Sequence, residues 1–248
     1  MKKVFFLFFF SYIETIFAQA PEIAGIDQPN VVTKLAVLVG IATLPFIVML
    51  LTSFVKIVIV LSLLRNAIGV QQTPPNQVIN GVALLLSIYV MFPTGLAMYN
   101  SSKEVIEKQS PTEIVSGQTP LYLINIANKA KEPLREFLQK NCTIKHIRGF
   151  YQIARRVFPK PYNTNIQISD FIILIPSFIT SQLQGAFEIG VLIYLPFFVI
   201  DLVTSNILLA MGMMMLSPLT IALPIKLLLL VMLDGWTILV QGLILTFR

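Results

Sequence analysis

The chain of 248 residues is 56% hydrophobic and only 12% charged, whereas soluble domains carry about 25% charged residues, so an ordinary soluble enzyme is excluded. The single cysteine, Cys142, and the single histidine, His146, exclude a disulfide framework and a metal site built from several thiolates or imidazoles. The formal net charge of +6 raises the question of nucleic acid binding, and the answer depends on where the charge lies.

Charged residues concentrate in the middle of the chain. Residues 100–170 hold 11 of the 18 Lys and Arg and 6 of the 12 Asp and Glu, a net of +5. No aromatic-rich motif accompanies the basic residues, which argues against a nucleic acid partner. The segment is interpreted as a solvated surface, and binding to anionic lipid is the alternative. Four apolar stretches flank it, and each is long enough to cross a bilayer, which takes about 20 residues: 35–64, 78–99, 171–216 and 219–247. The sequence predicts an integral membrane protein with one polar insert.

The N-terminus has the pattern of a secretory signal peptide over residues 1–20. A short basic start precedes apolar residues 4–17, and Ala18-Gln19-Ala20 is an A-x-A cleavage pattern. The alternative is an uncleaved N-terminal anchor. Cleavage would begin the mature chain at Pro21, in the periplasm of a bacterium, with an N-terminal segment over residues 21–34.

Residues 35–99 are predicted to form a first helical hairpin. Its first helix, 35–64, should kink near Pro45, and the turn at 71–76 contains two prolines that cannot continue a helix. The second helix carries small and polar residues at helical spacing, a pattern that lets membrane helices approach closely and hydrogen-bond. This helix-packing stripe consists of Asn80, Gly81, Ser87 and Thr94.

The polar insert, 100–170, is predicted to hold short amphipathic helices. One starts with Pro133 at its first position, and another is capped by Thr143. If the N-terminus is periplasmic, the two helices of the first hairpin return the chain to the periplasm, so the basic insert lies there too. This is unusual, because Lys and Arg are normally enriched in cytoplasmic loops. Because that tendency weakens for loops longer than about 60 residues, the signal peptide decides the topology.

Residues 171–248 are predicted to form a second helical hairpin around a methionine-rich loop. The third apolar stretch of the chain, 171–216, would be about 69 Å long as one straight helix, more than twice the thickness of the bilayer core. Either it breaks at one of its glycines or prolines, or it does not lie wholly in lipid. Segment 219–247 follows the turn at Ser217-Pro218.

Ionisable residues inside the apolar stretches should contact protein or water, because a charge at mid-bilayer is costly. On one helix over 219–247, Lys226, Asp234 and Gln241 fall on a narrow polar stripe at about 100° per residue. Ion pairing between helices, such as Asp201 with Lys226, is one interpretation, and direct contact with a substrate or an ion is the other. The candidate intramembrane polar residues are Lys56, Glu188, Asp201, Lys226, Asp234 and Gln241.

A methionine cluster lies just before the turn at 217–218 and consists of Met211, Met213, Met214 and Met215. Methionine is flexible and polarisable, so it fills irregular gaps and adapts to varied partners. The cluster is either ordinary core packing or a deformable hydrophobic constriction at a hairpin tip, which would block ions and yield to a passing chain.

Motifs of enzymes are missing from the sequence. It contains no G-x-x-x-x-G-K-[ST] phosphate loop, no H-E-x-x-H zinc motif and no G-x-S-x-G hydrolase motif. No nucleophile is recognisably paired with His146. The chain is therefore predicted to be a conduit or scaffold component, not an enzyme, with no catalytic residue, metal or cofactor.

The sequence resembles the FliP/SctR family over about residues 40–99 and 170–247, while the insert matches weakly. Several long motifs in the family's order carry the resemblance: Ser53-Phe54-Val55-Lys56-Ile57, Leu64-Arg65-Asn66-Ala67-Ile68-Gly69, Gln71-Gln72-Thr73-Pro74-Pro75-Asn76-Gln77, Ile200-Asp201-Leu202-Val203, Gly212-Met213-Met214-Met215-Leu216-Ser217-Pro218, Pro224-Ile225-Lys226-Leu227 and Leu233-Asp234-Gly235-Trp236.

The resemblance implies an all-α core subunit of the type III secretion export gate, the pore through which unfolded substrate proteins cross the bacterial inner membrane. It implies a pentameric homo-oligomer that winds into a helical cone with FliQ/SctS-like and FliR/SctT-like subunits. This multi-pass assembly would lie largely at the periplasmic level, among other basal-body components, so its helices need not match the bilayer. The family's methionine-rich loop lines the channel constriction and maps onto Met213, Met214 and Met215, with Met211 as an addition.

Two further questions stay open at the level of sequence. The motifs around Gly81 and Trp236 favour the virulence injectisome, while the signal peptide looks more flagellar. The alternative function is a stand-alone small-solute transporter or channel using Glu188, Asp201 and Lys226, and an intramembrane enzyme is a third possibility. The export gate is favoured because polar stripes exposed on a monomer would require partner subunits.

Overall fold

The computed structural model describes residues 31–70, 73–108, 119–160, 162–213 and 215–247. The predicted signal peptide and residues 21–30 lie outside the described residues. The chain divides into two compact units, Met1–Ala42 and Thr43–Arg248. The described part is all helical, which confirms the predicted fold class. Its helices are α1 (Val31–Leu51), α2 (Phe54–Ile68), α3 (Asn76–Lys108), α4 (Thr119–Lys140), α5 (Ile144–Val157), α6 (Tyr162–Asn165), α7 (Phe171–Ala210), α8 (Pro218–Met232) and α9 (Gly235–Leu245).

The first apolar stretch divides between α1 and α2, at Thr52 and Ser53. The helical segments Pro45–Leu51 and Phe54–Ile68 meet at 75°. The predicted single helix over 35–64 is therefore wrong, because the chain breaks at Thr52 and Ser53, while Pro45 lies inside α1. Ser53 is fully buried at the break, and its Oγ donates a hydrogen bond to Oγ of Ser87 on α3, 3.2 Å away. The small hydroxyl lets the chain turn in an apolar setting without an unpaired polar group.

Helix α2 packs against α3, α7 and α8. One face of α2 lies in a cluster with Ile79 and Ala83 of α3 and Ala186 of α7. The following turns lie in a second cluster with Phe197 of α7 and Leu230 of α8. Because the apolar side chains of three neighbouring helices meet on it, α2 organises the core of the second unit.

The turn from α2 to α3 is closed by side-chain and backbone contacts. Gly69 ends α2 with a left-handed φ of 91°, which favours glycine. Arg65 then donates from Nη1 to the Pro74 carbonyl at 3.2 Å and to Oδ1 of Asn76 at 2.6 Å. These contacts hold the start of α3 beside the end of α2.

The third apolar stretch is one continuous helix, α7, of 40 residues, which corresponds to about 60 Å. Pro176 and Pro196 both lie inside it and do not end it. Of the two sequence alternatives, a broken stretch is therefore wrong. A helix of this length is about twice the hydrocarbon thickness of a bilayer, so it does not fit wholly in lipid when upright.

The insert packs against the first third of α7. Phe137 and Leu138 of α4 form a buried cluster with Phe178 of α7, and the two phenyl rings lie 5.9 Å apart between centroids. The predicted helix start at Pro133 is wrong, because α4 begins at Thr119 and Pro133 lies inside it. Thr143 does occupy the cap position of α5 with an extended backbone, although its side chain makes no capping hydrogen bond.

The last apolar stretch bends by 65° between α8 and α9. Asp234 lies at the break with a left-handed φ of 50°, and Oγ1 of Thr237 donates to its Oδ1 at 2.9 Å. The predicted polar stripe on one straight helix is therefore wrong. Lys226 is buried on α8, whereas Asp234 and Gln241 are exposed at and beyond the bend.

By length and composition, two described helical segments are able to cross a membrane, Asn76–Lys103 and Phe171–Ala210. The bent pairs α1–α2 and α8–α9 raise this number to four if each pair is one broken span. The described chain therefore has the helices of a multi-pass membrane protein.

Gly190 on α7 is a position of close helix approach. A β-carbon added there would overlap Cδ1 of Leu63 and lie 3.3 Å from its Cβ and Cγ. We expect Gly190→Ala to force α2 and α7 apart and to cost about 1–3 kcal/mol, as overpacking usually does. Gly185→Ala is the matched control, because a β-carbon there lies at ordinary contact distance, 3.5 Å from Cε of Lys56. Melting temperatures of the purified variants test this, and equal losses would contradict it.

Candidate functional site

Lys226 of α8 and Asp201 of α7 form an ion pair between helices. The Lys226 Nζ atom lies 2.7 Å from Oδ2 of Asp201, and the lysine side chain is 2% exposed against 37% for the aspartate. This is the pairing that the sequence analysis weighed against direct contact with a substrate. The lysine is the buried member of the pair, and the carboxylate reaches the surface.

A third helix completes the surroundings of Lys226. Its Nζ also donates to the carbonyl oxygen of Ala67, 3.0 Å away, in the last turn of α2. Carbonyls at a helix C-terminus lack partners within the helix and carry partial negative charge, so they stabilise a cation. Lys226 therefore ties α2, α7 and α8 together, and both identified acceptors belong to this chain.

Lys56 of α2 is held by the C-terminal end of the chain and by α7. Its Nζ donates to Oγ1 of Thr246 at 2.9 Å and lies 4.7 Å from the ring centroid of Phe247. On the α7 side, Lys56 lies beside Gly185, where an added β-carbon would be 3.5 Å from its Cε. The Glu188 side chain, also on α7, is exposed and accepts a hydrogen bond from Nε2 of Gln184 at 2.7 Å. Like Lys226, Lys56 joins helices that are distant in sequence.

Only part of the predicted helix-packing stripe on α3 is buried against other helices of this chain. Ser87 is buried against Ser53, and Thr94 is half-buried. Asn80 and Gly81 are exposed, and a β-carbon on Gly81 would meet nothing within 4 Å. The exposed part of the stripe is therefore available to a neighbouring helix.

The methionine-rich loop leaves α7 through a well-defined C-terminal cap. Gly212 has a left-handed φ of 73°. The backbone N–H of Gly212 bonds to the carbonyl of Leu209, and that of Met213 bonds to the carbonyl of Leu208, both at 3.0 Å. This pair of bonds is the Schellman motif. On the far side, Ser217 occupies the cap position of α8 without a side-chain capping bond, its carbonyl accepts the backbone N–H of Thr220 at 3.2 Å, and Pro218 lies in the first turn. Both ends of the loop are thus fixed by their helices.

The described methionines of the loop are exposed. The exposed fractions are 65% for Met211, 47% for Met213 and 102% for Met215, and Met214 lies outside the described residues. Ordinary core packing within the chain, one of the two interpretations of the cluster, is therefore wrong for these three residues. A single chain presents a short apolar tip that it does not cover.

Ser181 of α7 is a hydrogen-bonding centre that the sequence analysis missed. Its Oγ lies 2.8 Å from Nδ1 of His146, 3.0 Å from the backbone nitrogen of Thr143 and 3.4 Å from Sγ of Cys142. It also donates to the carbonyl of Ser177 at 2.8 Å. His146, for which the sequence indicates no nucleophile, thus contacts a serine hydroxyl in the structure. The hydroxyl and the imidazole lie 35 positions apart in sequence, and no motif signals their contact.

The geometry around Ser181 favours docking of the insert over nucleophilic catalysis. A hydroxyl has one hydrogen to donate and two lone pairs that accept. When the hydrogen goes to Ser177, the lone pairs accept the N–H of Thr143 and the Nδ1–H of His146. His146 then acts as a donor and does not remove a proton from Ser181, which is buried. Burial also raises the pKa of the Cys142 thiol, so it is neutral and weakly nucleophilic at neutral pH.

We expect Ser181→Ala to loosen the attachment of the insert to α7. Thr143 is exposed and His146 is half-buried. Both would lose their shared acceptor, and an intramolecular hydrogen bond contributes about 0.5–1.5 kcal/mol. The alkylation rate of Cys142, which is buried and is the chain's single cysteine, reports the loosening. At constant pH, the rate should rise at least about twofold, the factor equivalent to the lower bound of that contribution.

Ser177→Ala is the matched control for this experiment. Ser177 is also buried on α7, but its hydroxyl donates at 2.6 Å to the carbonyl of Ile173 on the same helix. Its removal should therefore leave the alkylation rate near that of the wild type. Equal acceleration in both variants would contradict a specific role of Ser181 in docking.

An open groove of about 450 Å³ lies between the end of α1 and α3. Apolar side chains dominate its lining, including Val48, Met49, Leu84 and Phe92, with Thr52 and Ser87 as polar members. Glu188, Asp201 and Lys226 do not line it. The groove therefore does not unite the charged residues that the small-solute transporter alternative requires.

Comparison with known proteins gives a consistent result over most of the chain. A model of the FliP family matches residues 37–243. The chain is 46% identical over 224 residues to "Yop proteins translocation protein R" of Yersinia pestis, covering 90% of this chain and 99% of that protein. It is 44% identical over 213 residues to "Virulence protein YscR" of Salmonella typhimurium, covering 86% and 95%. It is 42% identical over 210 residues to "Hypersensitivity response secretion protein HrcR" of Ralstonia nicotianae, covering 85% and 94%.

Proposed function

The chain belongs to the FliP family, and on that premise we propose that it is a core subunit of a type III secretion export gate in the bacterial inner membrane. The relatives carry names of translocation, secretion and virulence proteins. The helices that are long and apolar enough to cross a membrane agree with this location. The names also favour the virulence injectisome over the flagellar branch.

The observation that carries this proposal is the methionine-rich loop. It is an apolar tip fixed at both ends, with Met211, Met213 and Met215 exposed in the single chain. Several copies arranged in a ring would bring these tips together. Flexible, polarisable side chains would then form a constriction that excludes water and ions yet adapts to an unfolded polypeptide of any sequence. The loop would serve as the gasket of the pore.

The exposed surface of α7 supports an obligate assembly. Large apolar side chains such as Phe187, Leu195 and Val203 are exposed on it, and the carboxylate of Glu188 lies among them. A helix about twice as long as the bilayer core is thick does not bury this surface in lipid. We propose that neighbouring copies, in a pentamer, and FliQ/SctS-like and FliR/SctT-like subunits cover it, with much of the assembly at the periplasmic level.

Native mass spectrometry of the protein, extracted gently from its own membranes, tests the proposal. The expected species contains several copies of this chain together with two other small hydrophobic proteins. The identity of those partners would distinguish the injectisome from the flagellar system. A stable, well-folded monomer that binds or conducts a small solute would overturn the export-gate proposal in favour of a stand-alone transporter.

A further inference from the structure

Lys56 of α2 is a buried cation that has no carboxylate within ion-pair distance among the described residues. Its Nζ donates to the neutral hydroxyl of Thr246 and lies over the ring of Phe247. Lys226, which is buried as well, has the carboxylate of Asp201 at 2.7 Å. An ammonium group has three hydrogens to donate, so the described contacts of Lys56 leave room for a further acceptor.

Glu188 of α7 is the opposite case, an exposed carboxylate in an apolar surface. Phe187 precedes it, Val191 and Leu192 follow one turn later, and all three are exposed. Its Oε1 accepts a hydrogen bond from Nε2 of Gln184, four positions earlier, at 2.7 Å. Helix α7 contains no Lys or Arg, so its own residues offer no counter-charge. In the single chain, water and Gln184 solvate the carboxylate.

Gly185 of α7 brings these two charges within reach of each other. A β-carbon added at Gly185 would lie 3.6 Å from Nζ of Lys56, so the ammonium group lies against the backbone of α7. Helix side chains lean toward the N-terminus and meet the positions three and four residues before them, about 5–6 Å away between β-carbons. Glu188 is thus able to turn its carboxylate toward Gln184, where it lies here, or toward Gly185, where no side chain separates it from Lys56.

We propose that Glu188 turns from Gln184 to Lys56 and forms an ion pair with it when neighbouring subunits cover α7. The inference rests on the proposed function, in which the exposed face of α7 is buried in the assembled gate. Covering that face removes water from the carboxylate, and an unpaired buried charge is costly. The pair neutralises both charges inside one chain, so the neighbour that covers Glu188 has to supply an apolar surface and not a basic one. Assembly would thereby close a second ion pair between helices, in addition to that of Asp201 with Lys226.

The test measures the yield of assembled complex after gentle extraction from cells that make the complete secretion apparatus. Lys56→Met keeps a long unbranched side chain but removes the cation, so a covered Glu188 is left without its counter-charge. We expect the yield to fall at least about tenfold relative to the wild type. Adding Glu188→Gln to this variant removes the stranded carboxylate, and it should restore the yield to within about twofold of the wild type.

Gln184→Leu is the matched control, because it removes the partner that Glu188 has in the single chain and leaves Lys56 in place. Its yield should stay within about twofold of the wild type, since exposed polar contacts contribute little. Equal losses in Gln184→Leu and Lys56→Met would overturn the pairing. Wild-type yield in Lys56→Met would also overturn it, because a neighbour would then supply the counter-charge.

An electron cryomicroscopy structure of the wild-type complex tests the pairing without any variant, and so does not depend on how Lys56→Met folds. The expected distance from Nζ of Lys56 to the nearer carboxylate oxygen of Glu188 is within about 4 Å, the limit of an ion pair. A carboxylate that still bonds to Gln184, or that pairs with a cation of another subunit, would overturn the inference and leave the proposed function intact. A wild-type chain that forms no complex would instead overturn the proposed function, and this inference with it.

Discussion

Replacing Met213, Met214 and Met215 together with alanine is expected to make the membrane leak small ions. Each substitution removes the side chain beyond Cβ, so a ring of loops would no longer close on itself. A dewetted constriction would become a water-filled gap, and ion flux should rise by at least about tenfold. The measurement is uptake of ions or a small impermeant dye by cells that make the complete secretion apparatus, compared with cells that make the wild-type chain.

Two control variants separate sealing from general damage. Replacing the same three residues with leucine keeps most of the apolar volume, so it should preserve the seal. The second control replaces three methionines outside the loop, Met49, Met98 and Met232, with alanine. It removes the same number of side-chain atoms and leaves the methionine-rich loop unchanged. Unchanged permeability in the loop variant, with the complex assembled normally, would contradict the gasket. Equal leakage from both alanine variants would also contradict it.

Asp201→Leu is expected to damage the protein more than Lys226→Met. The aspartate variant leaves a lysine with 2% exposure opposite only the Ala67 carbonyl, and an uncompensated buried charge costs about 3 kcal/mol or more. The lysine variant leaves a carboxylate that is 37% exposed and keeps contact with water. Removing the lysine therefore does not strand a buried acid, because the acid is the surface member of the pair.

A double-mutant cycle tests this order. The combined variant Asp201→Leu, Lys226→Met removes both charges, and it should recover much of the stability lost by Asp201→Leu alone. Melting temperature in detergent and the yield of assembled complex are the readouts. Equal losses in the two single variants, or strictly additive losses in the double variant, would show that the pair is not coupled.

The sequence predicts the helical class and the polar residues well, because both follow from local composition and periodicity. The pairing of Asp201 with Lys226 could be anticipated, since two opposite charges in neighbouring apolar helices each need a partner. The length of α7 was also informative, although the expected breaks at its prolines are absent. Proline removes one backbone hydrogen bond, and the helix continues past both prolines on its remaining bonds.

One of the two remaining breaks could not be predicted from local rules. Thr52-Ser53 carries no glycine or proline and is held by a tertiary contact, whereas Asp234 precedes Gly235, and Asp-Gly is a local turn signal. Ser53 bonds to Ser87, which lies 34 positions away, and Asp234 adopts a left-handed backbone that non-glycine residues seldom take. The contacts of Ser181 with His146 and Cys142 are equally non-local. The polar stripe predicted for 219–247 assumed one straight helix. It is wrong because the chain bends by 65° between α8 and α9.

The bare outer face of α7 has a consequence for the life of the protein in the cell. A newly made copy that has not met its neighbours displays Phe187, Leu195 and Val203 along a helix too long for lipid to cover. Such an orphan copy is prone to aggregation and is a natural substrate for membrane proteases. Its steady-state abundance should therefore follow the supply of its partners, so that stoichiometry is corrected by degradation of surplus copies.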